Sequence, residues 1–420
     1  MAILPLDVVD AIVDTLARSE DDPSLPATKA CSLACYEYSV ICRKRIFAHI
    51  VVNQRTSQYT PPPKFGWQHR STTTTLHELL HKSPEIINHI RSLDYNRPAD
   101  FLLTDDISQD LELFAETLVK LTRLESFGLR CFGFEWNDTP SLRPGLLHIL
   151  QLPTLIDLYV EGVKGFCLGE LALPRNLQEF GFDGLELTSD CPQGLRDAQI
   201  KLRRLDLGPY SSPAIVQMCD HICTNGQRFI DLTTVEELTI RWFYSSDAAA
   251  SYYLLSHCES LTSLRYFNSD TPDPSGMSFD SLSEMLALST ATKTLKYLEI
   301  DTIYKRDMSE DIYHGFAKAL LKLANNNVIE EIKIAIFIQM MSDCDRGDEW
   351  GTLDTALASG FRNLRLCSVT VGFIQDSPVV SGLEEALMNV RETQFPKLSS
   401  NRDVLFEFVL QKENRSYSVS

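Results

Sequence analysis

A chain of 420 residues is too long for one ordinary compact domain and long enough for a large core or an array of repeats. Hydrophobic residues make up 44% and charged residues 23%, a globular balance that excludes a wholly disordered chain. The formal charge of −18 repels phosphate backbones and anionic lipid, so neither nucleic acid nor membrane is expected as a partner.

The first element follows Leu4-Pro5, where a proline without an N–H suits the first turn of a helix. Val9, Ile12, Val13 and Leu16 then form one apolar stripe. Asp7, Asp10 and Asp14 interrupt the apolar residues and no basic segment precedes them, so this stretch does not read as a signal peptide. No apolar run approaches membrane-spanning length, and cytoplasm or nucleus is the expected location. An acidic turn from Ser19 to Pro26 leads to a second helix, about Ala27 to Cys35. A third carries Tyr38, Ile41, Cys42 and Phe47, with Arg43-Lys44-Arg45 on its wet side. Three helices this short are marginal alone, so they are expected to bury their remaining apolar surface on a partner or to cap the next domain of the chain.

The stretch from Leu4 to Phe47 resembles an F-box-like domain. Leu4, Pro5, Asp7, Val8 and Val9 fit that family's opening pattern, with aspartate for glutamate. Cys31-Ser32-Leu33-Ala34-Cys35 meets its second stretch, Tyr38 stands for its tryptophan, and Ile46-Phe47 for its closing pair. The resemblance implies that residues 1–52 dock on a Skp-family linker protein, and through it on a cullin of a ubiquitin ligase. The residues it assigns to that contact are Leu4, Pro5, Asp7, Val8, Val9, Ile12, Leu33 and Tyr38.

Residues 53–75 read as a linker, with Pro61-Pro62-Pro63 and the run Thr72 to Thr75. His77-Glu78-Leu79-Leu80-His81 comes next and spells the zinc-peptidase motif H-E-x-x-H. Its setting argues otherwise. Thr75 and Glu78 have capping-box spacing, which gives Glu78 a structural task. Leu76, Leu79 and Leu80 share one side of the helix, and the two histidines lie away from it, toward solvent. Ser83-Pro84 ends the helix, with Ser83 as the expected N-cap of the next, and Pro84 and Ile87 stand where the metzincin version needs glycine and histidine. A zinc-dependent peptidase is therefore only a remote alternative, and no metal or other cofactor is expected.

From residue 76 to 420 one pattern recurs: an apolar residue, two variable ones, then two apolar residues alternating with a polar one. The leading residues are Ile90, Leu124, Leu155, Leu177, Leu202, Val235, Leu261, Leu295, Ile329 and Leu364, spaced by 22 to 35 residues. Each copy predicts a strand that buries one face, and only stacked parallel copies can cover such faces. Leu405 to Leu410 reads as a last, capping strand. Ile107, Leu111, Phe114, Leu118 and Leu121 form a helical stripe between copies, as do Ile312, Phe316, Leu320 and Leu323. The array resembles degenerate leucine-rich repeats, although the family's asparagine after the strand is missing from nearly every copy. The expected fold is α/β: an N-terminal three-helix bundle, then a curved solenoid with a parallel sheet on its concave side. An α/β domain without true repeats is the alternative.

The eleven cysteines, an odd number, read as reduced thiols, and Cys219 and Cys223 around His221 lack the second ligand pair of a zinc site. No G-x-S-x-G, phosphate-binding glycine loop or paired CxxC occurs, so no enzyme is expected. Function falls to surfaces. The polar positions that alternate with buried strand residues include Tyr159, Asp183, Arg204, Arg241, Phe267, Tyr297, Glu299 and Asp301, the expected target-binding residues, with Asp157, Glu161, Glu179, Asp206, Glu237 and Glu331 and with Arg130, Arg265 and Lys333 beside them; acids outnumber bases, which favours a basic or mixed-charge target. The F-box resemblance implies a substrate-recruiting adaptor that binds an unidentified target protein there. A repeat scaffold without ligase attachment is the alternative.

Overall fold

The computed structural model describes residues 6–18, 24–53, 69–97, 105–138, 140–188, 199–242, 247–269, 286, 289–304, 316–324, 327–338, 350–374, 385 and 387–413. Leu4, Pro5 and the proline-rich stretch 54–68 lie outside them. The chain divides into two compact units, Met1–Ile200 with His221–Phe229, and Lys201–Asp220 with Ile230–Ser420.

The first unit opens with three helices, α1 Leu6–Arg18, α2 Ser24–Ser32 and α3 Tyr36–Ile46. Val9 and Val13, one helical turn apart, meet Cys42 and Ile46 of α3, and Cys31, Tyr38, Ile41 and Phe47 pack around them. An Arg45–Asp14 ion pair ties α3 to α1. The chain passes from α3 into strand β1, His49–Asn53, and β2, His69–Ser71, pairs beside it. The sheet thus starts before residue 52 and continues through the stretch read as a linker. Ile50, Val51 and Val52 are buried on both faces, so β1 is a continuous β-branched run rather than an alternating one.

Helix α4, Thr73–Lys82, begins three residues earlier than the capping box predicts. Thr72 is the N-cap and accepts the Thr75 N–H at 3.2 Å. The buried Thr73 hydroxyl donates to Asp110 at 3.0 Å, a tertiary contact that selects one threonine among four. Glu78 reaches not back to the cap but forward to Lys82, at 3.1 Å. Ser83 precedes the 3-10 turn Pro84–His89 without a side-chain cap bond.

Each of the ten sequence copies becomes a strand that starts two residues after its leading apolar residue. In the first unit these are β3 Ser92–Arg97, β4 Ser126–Glu135, β5 Asp157–Lys164 and β7 Glu179–Asp183, with the two-residue strands β6 Phe166–Cys167 and β8 Leu187–Thr188 paired outside the main sheet. Its sheet runs β2-β1-β3-β4-β5-β7, all parallel. Short strand β9, Ile200–Lys201, lies where the first segment of this unit ends. The second unit holds β10 Arg204–Leu207, β11 Ile230–Asp231, β12 Glu237–Trp242, β13 Ser263–Ser269, β14 Tyr297–Tyr304, β15 Glu331–Ile338, β16 Leu366–Ile374 and β17 Leu405–Glu413. Its sheet runs β10-β12-β13-β14-β15-β16-β17, again parallel, and β17 is the expected final strand. In neither unit do the first and last strands pair, so both sheets are open.

The register follows the repeat. Ser92 pairs with Ser126, Ser126 with Asp157 and Asp157 with Glu179; in the second unit Glu237, Ser263, Tyr297, Glu331, Leu366 and Leu405 align likewise. The leading residues are all buried, as are the apolar residues three and five positions later, such as Leu264 and Tyr266 or Leu298 and Ile300. Each fully buried Leu or Ile contributes about 1.5–3 kcal/mol, so the recurring triplet is the main source of cohesion. Helix α5, Asp105–Leu118, presents Leu111, Phe114 and Leu118 to the core, and the Phe114 ring stacks on Tyr95 at 4.2 Å.

A backbone ladder takes the place of the missing asparagines. In nearly every copy within each unit the carbonyl just before the strand accepts two N–H groups from the next copy. The Glu236 carbonyl accepts from Thr262 and Ser263 at 2.8 and 3.0 Å, that of Thr262 from Lys296 and Tyr297 at 2.9 and 3.0 Å, and that of Lys296 from Glu330 and Glu331 at 2.8 and 3.0 Å. The first unit repeats this from Ala48 through Arg91, Glu125 and Ile156. Hydroxyls supplement it at one repeat position: Thr154 donates to the Leu124 carbonyl at 2.6 Å and Thr234 to that of Leu202 at 2.9 Å. Buried backbone groups are thereby paired without a dedicated side-chain ladder.

Cys31, Cys35, Cys42, Cys131, Cys219, Cys223, Cys258 and Cys367 are free thiols, as expected. Cys167 is disulfide-bonded, which corrects the reading of every cysteine as reduced.

Candidate interaction surfaces

The helical head sorts its predicted contact residues. Val9 is 3% exposed and belongs to the bundle core, so it holds α1 in place and does not face a partner. The correction has a simple origin: adjacent residues on a helix point about 100° apart, and the face carrying Val9 and Val13 is the one that meets α3. Val8 and Ile12 lie on the outer side, 39% and 45% exposed, and with Asp7, Ala11 and Thr15 they line an open groove of about 500 Å³ along α1. Leu33 is 86% exposed. Tyr38 is half-buried against the bundle core. Leu4 and Pro5 fall outside the described residues. Leu6, Tyr36 and Val40 are further exposed apolar side chains that the family pattern does not single out. Tyr36 and Val40, four residues apart on α3, carry the helical spacing that could have identified them.

The polar strand faces differ between the units. In the first, Arg130 lies over the Tyr159 ring at 4.8 Å from its centroid and pairs with Glu161 at 3.9 Å. Asp183 stands beside Glu161 in the register. Asp94 and Asn96 are buried, and the Asn96 amide donates to Asn53 at 3.0 Å. A Cβ on Gly128 would come within 2.0 Å of an Asp94 oxygen, so the absence of a side chain there is what admits that carboxylate. This face is largely covered at β3.

In the second unit Arg204, Arg241, Phe267, Tyr297, Glu299 and Asp301 share one face, and the register brings Arg241, Phe267 and Asp301 side by side on β12, β13 and β14. Arg241 pairs with Asp206 at 2.9 Å and Arg265 with Glu299 at 3.1 Å. The Tyr297 hydroxyl donates to Glu299 at 2.5 Å. Lys333 pairs with Glu331 at 3.1 Å. Arg265 and Lys333 flank the Tyr297 ring, 5.9 and 5.3 Å from its centroid. Burial, and secondarily the Glu299 carboxylate, push the Asp301 carboxyl up to about 6.

The histidine motif is arranged as a structural helix. His77 is half-buried with Nδ1 3.5 Å from the Thr117 hydroxyl of α5, which corrects its expected solvent position, while His81 is exposed. Among the described residues no group of three or more His, Cys, Asp or Glu side chains is placed to hold a metal ion. Among them, too, no helix is long and apolar enough to cross a membrane. No protein-family model matches the chain, and a search of curated proteins returns no match.

Proposed function

We propose that the protein is a substrate-recruiting adaptor of a Skp–cullin–F-box type ubiquitin ligase. In this reading the N-terminal helices are an F-box-like bundle that grips a Skp-family linker protein. The strands form a degenerate leucine-rich-repeat solenoid whose polar strand face holds a target protein, in the cytoplasm or nucleus. Transfer chemistry belongs to other subunits, and the chain itself is not an enzyme.

One observation carries the head's role. Helix α1 has more apolar surface than its own core uses: Val9 and Val13 face inward, while Leu6, Val8 and Ile12 remain exposed on the other side. Covering such a stripe contributes about 1–2 kcal/mol per side chain. The partner's identity rests on the family resemblance of residues 4–47. The in-register strands and their backbone ladder support the repeat reading.

Replacing Val8 and Ile12 together by aspartate tests the adaptor role. Both are exposed, so the thermal midpoint is expected to stay within a few degrees while co-purification of a Skp-family protein is lost. Undiminished co-purification would overturn it. One observation favours the scaffold alternative: α3 runs directly into β1 and the ladder starts at Ala48, so the bundle is also built as the array's end cap. A pure cap would bind no Skp-family protein even in the unmodified chain.

A further inference from the structure

The first unit carries a basic patch on a chain whose formal charge is −18. It lies where three successive segments enter the parallel strands β1, β3 and β4, which are immediate neighbours in the sheet. Arg43, Lys44 and Arg45 stand in the last turn of α3, the helix that runs into β1. His89 ends the 3-10 turn ahead of β3, and Arg91 immediately precedes that strand. Arg123 stands just before β4. Adjacent strands are about 5 Å apart, so the three entries span roughly 10 Å.

The charges here do not cancel. Arg45 pairs with Asp14, Arg43 with Glu85 at 3.4 Å, and Arg91 with Glu125 at 3.2 Å. Lys44 and Arg123 are exposed and have no ion pair among the described residues. Five cations thus meet three carboxylates. Arg91 NH1 also lies 3.4 Å from the Ile90 and Arg123 carbonyls, which draws the β3 and β4 entries together. His89 registers the same excess. Burial first, then Lys44, Arg91 and Arg43, hold its imidazole below the ordinary histidine range, and Glu85 is the one acid that opposes them. A helix C-terminus favours cations, which accounts for the last turn of α3 but not for Arg91 and Arg123.

We propose that this patch binds an acidic segment of a partner protein, held by Lys44, Arg91 and Arg123 where α3, β3 and β4 meet. The occupant is argued from charge complementarity: cations outnumber acids, and two of them have no carboxylate of their own. Within about 8 Å at physiological salt the nearest charges decide, so a short acidic peptide feels the patch. A nucleic acid reaches beyond it, into the field of a chain that is acidic as a whole. The inference does not rest on the function proposed for the head, whose open groove on α1 is lined chiefly by uncharged side chains.

The test is fluorescence anisotropy on the full chain with three labelled probes. One peptide alternates aspartate with serine, a second of equal length alternates lysine with serine, and the third probe is an RNA oligonucleotide matched to the first in negative charge. The aspartate peptide is expected to bind at least ~10-fold more tightly than either of the others. Lys44→Gln with Arg123→Gln breaks no ion pair among the described residues, so it should weaken the aspartate peptide ~10-fold with an unchanged melting curve. Arg365→Gln, an exposed cation of the second unit, should leave that binding as it was. Equal or tighter binding of the lysine peptide or the RNA, binding of no probe, indifference to the glutamine pair, or an equal loss in Arg365→Gln would each overturn the proposal. Val8 and Ile12 are untouched by these variants, so co-purification of a Skp-family protein reads the adaptor role separately.

Discussion

At Asp301 the strand face imposes a cost that depends on pH. Its carboxyl, raised to about 6 chiefly by burial, binds its proton more tightly in the folded chain than in the unfolded one, where its ordinary value is about 4. The folded state therefore gains from this group below pH 4, and the gain is lost as pH rises through about 6. Asp301→Asn removes the titration. Relative to the unmodified chain, this variant is expected to gain roughly 1–3 kcal/mol between pH 4 and pH 7 in denaturant titrations. A difference that stays constant with pH would show that Asp301 is not desolvated. Val8 and Val9 show how far single residues were legible. Both are apolar neighbours on α1, and the stripe announced a helix. Which of them faces inward depends on where α3 lies, and that is a tertiary fact. Arg265 was legible as a strand-face residue from the alternation, but its place beside the Tyr297 ring depends on the register of β13 against β14.

Among the elements, the ten repeat strands were readable because each has two independent marks, a leading apolar residue and an alternation that buries one face. Strands β1 and β2 have neither mark. Ile50, Val51 and Val52 are buried on both sides, and a run of three apolar residues does not distinguish strand from buried helix. The start of α4 was ambiguous for another reason: any threonine from 72 to 75 can cap, and the Thr73–Asp110 bond decides between them. The backbone ladder was invisible in the sequence, since it uses carbonyls and no particular side chain. The repeat makes position decisive for stability. Leu298, buried between strands, should cost about 2–5 kcal/mol when replaced by alanine, whereas the adjacent Glu299→Gln on the polar face should cost about 1 kcal/mol or less. Urea unfolding of the two variants measures this. Equal losses would mean that the inward and outward positions are not those described.

In the first unit the ladder begins at Ala48, directly after the helical head, and the exposed surfaces of the head and of the second unit's strands differ in kind. The head presents uncharged apolar side chains, Val8, Ile12 and Leu33, and the second unit's strand face presents paired charges around aromatic rings. Under the proposed function these surfaces meet two partners, one held by apolar burial and one steered by charge. The most direct measurement is backbone hydrogen exchange of the intact chain with and without a purified Skp-family protein. The adaptor role predicts slowed exchange confined to α1–α3, centred on the turns carrying Val8 and Ile12, with the strands β12 to β15 unchanged. No slowing anywhere, or slowing in the strands with the head unaffected, would contradict it.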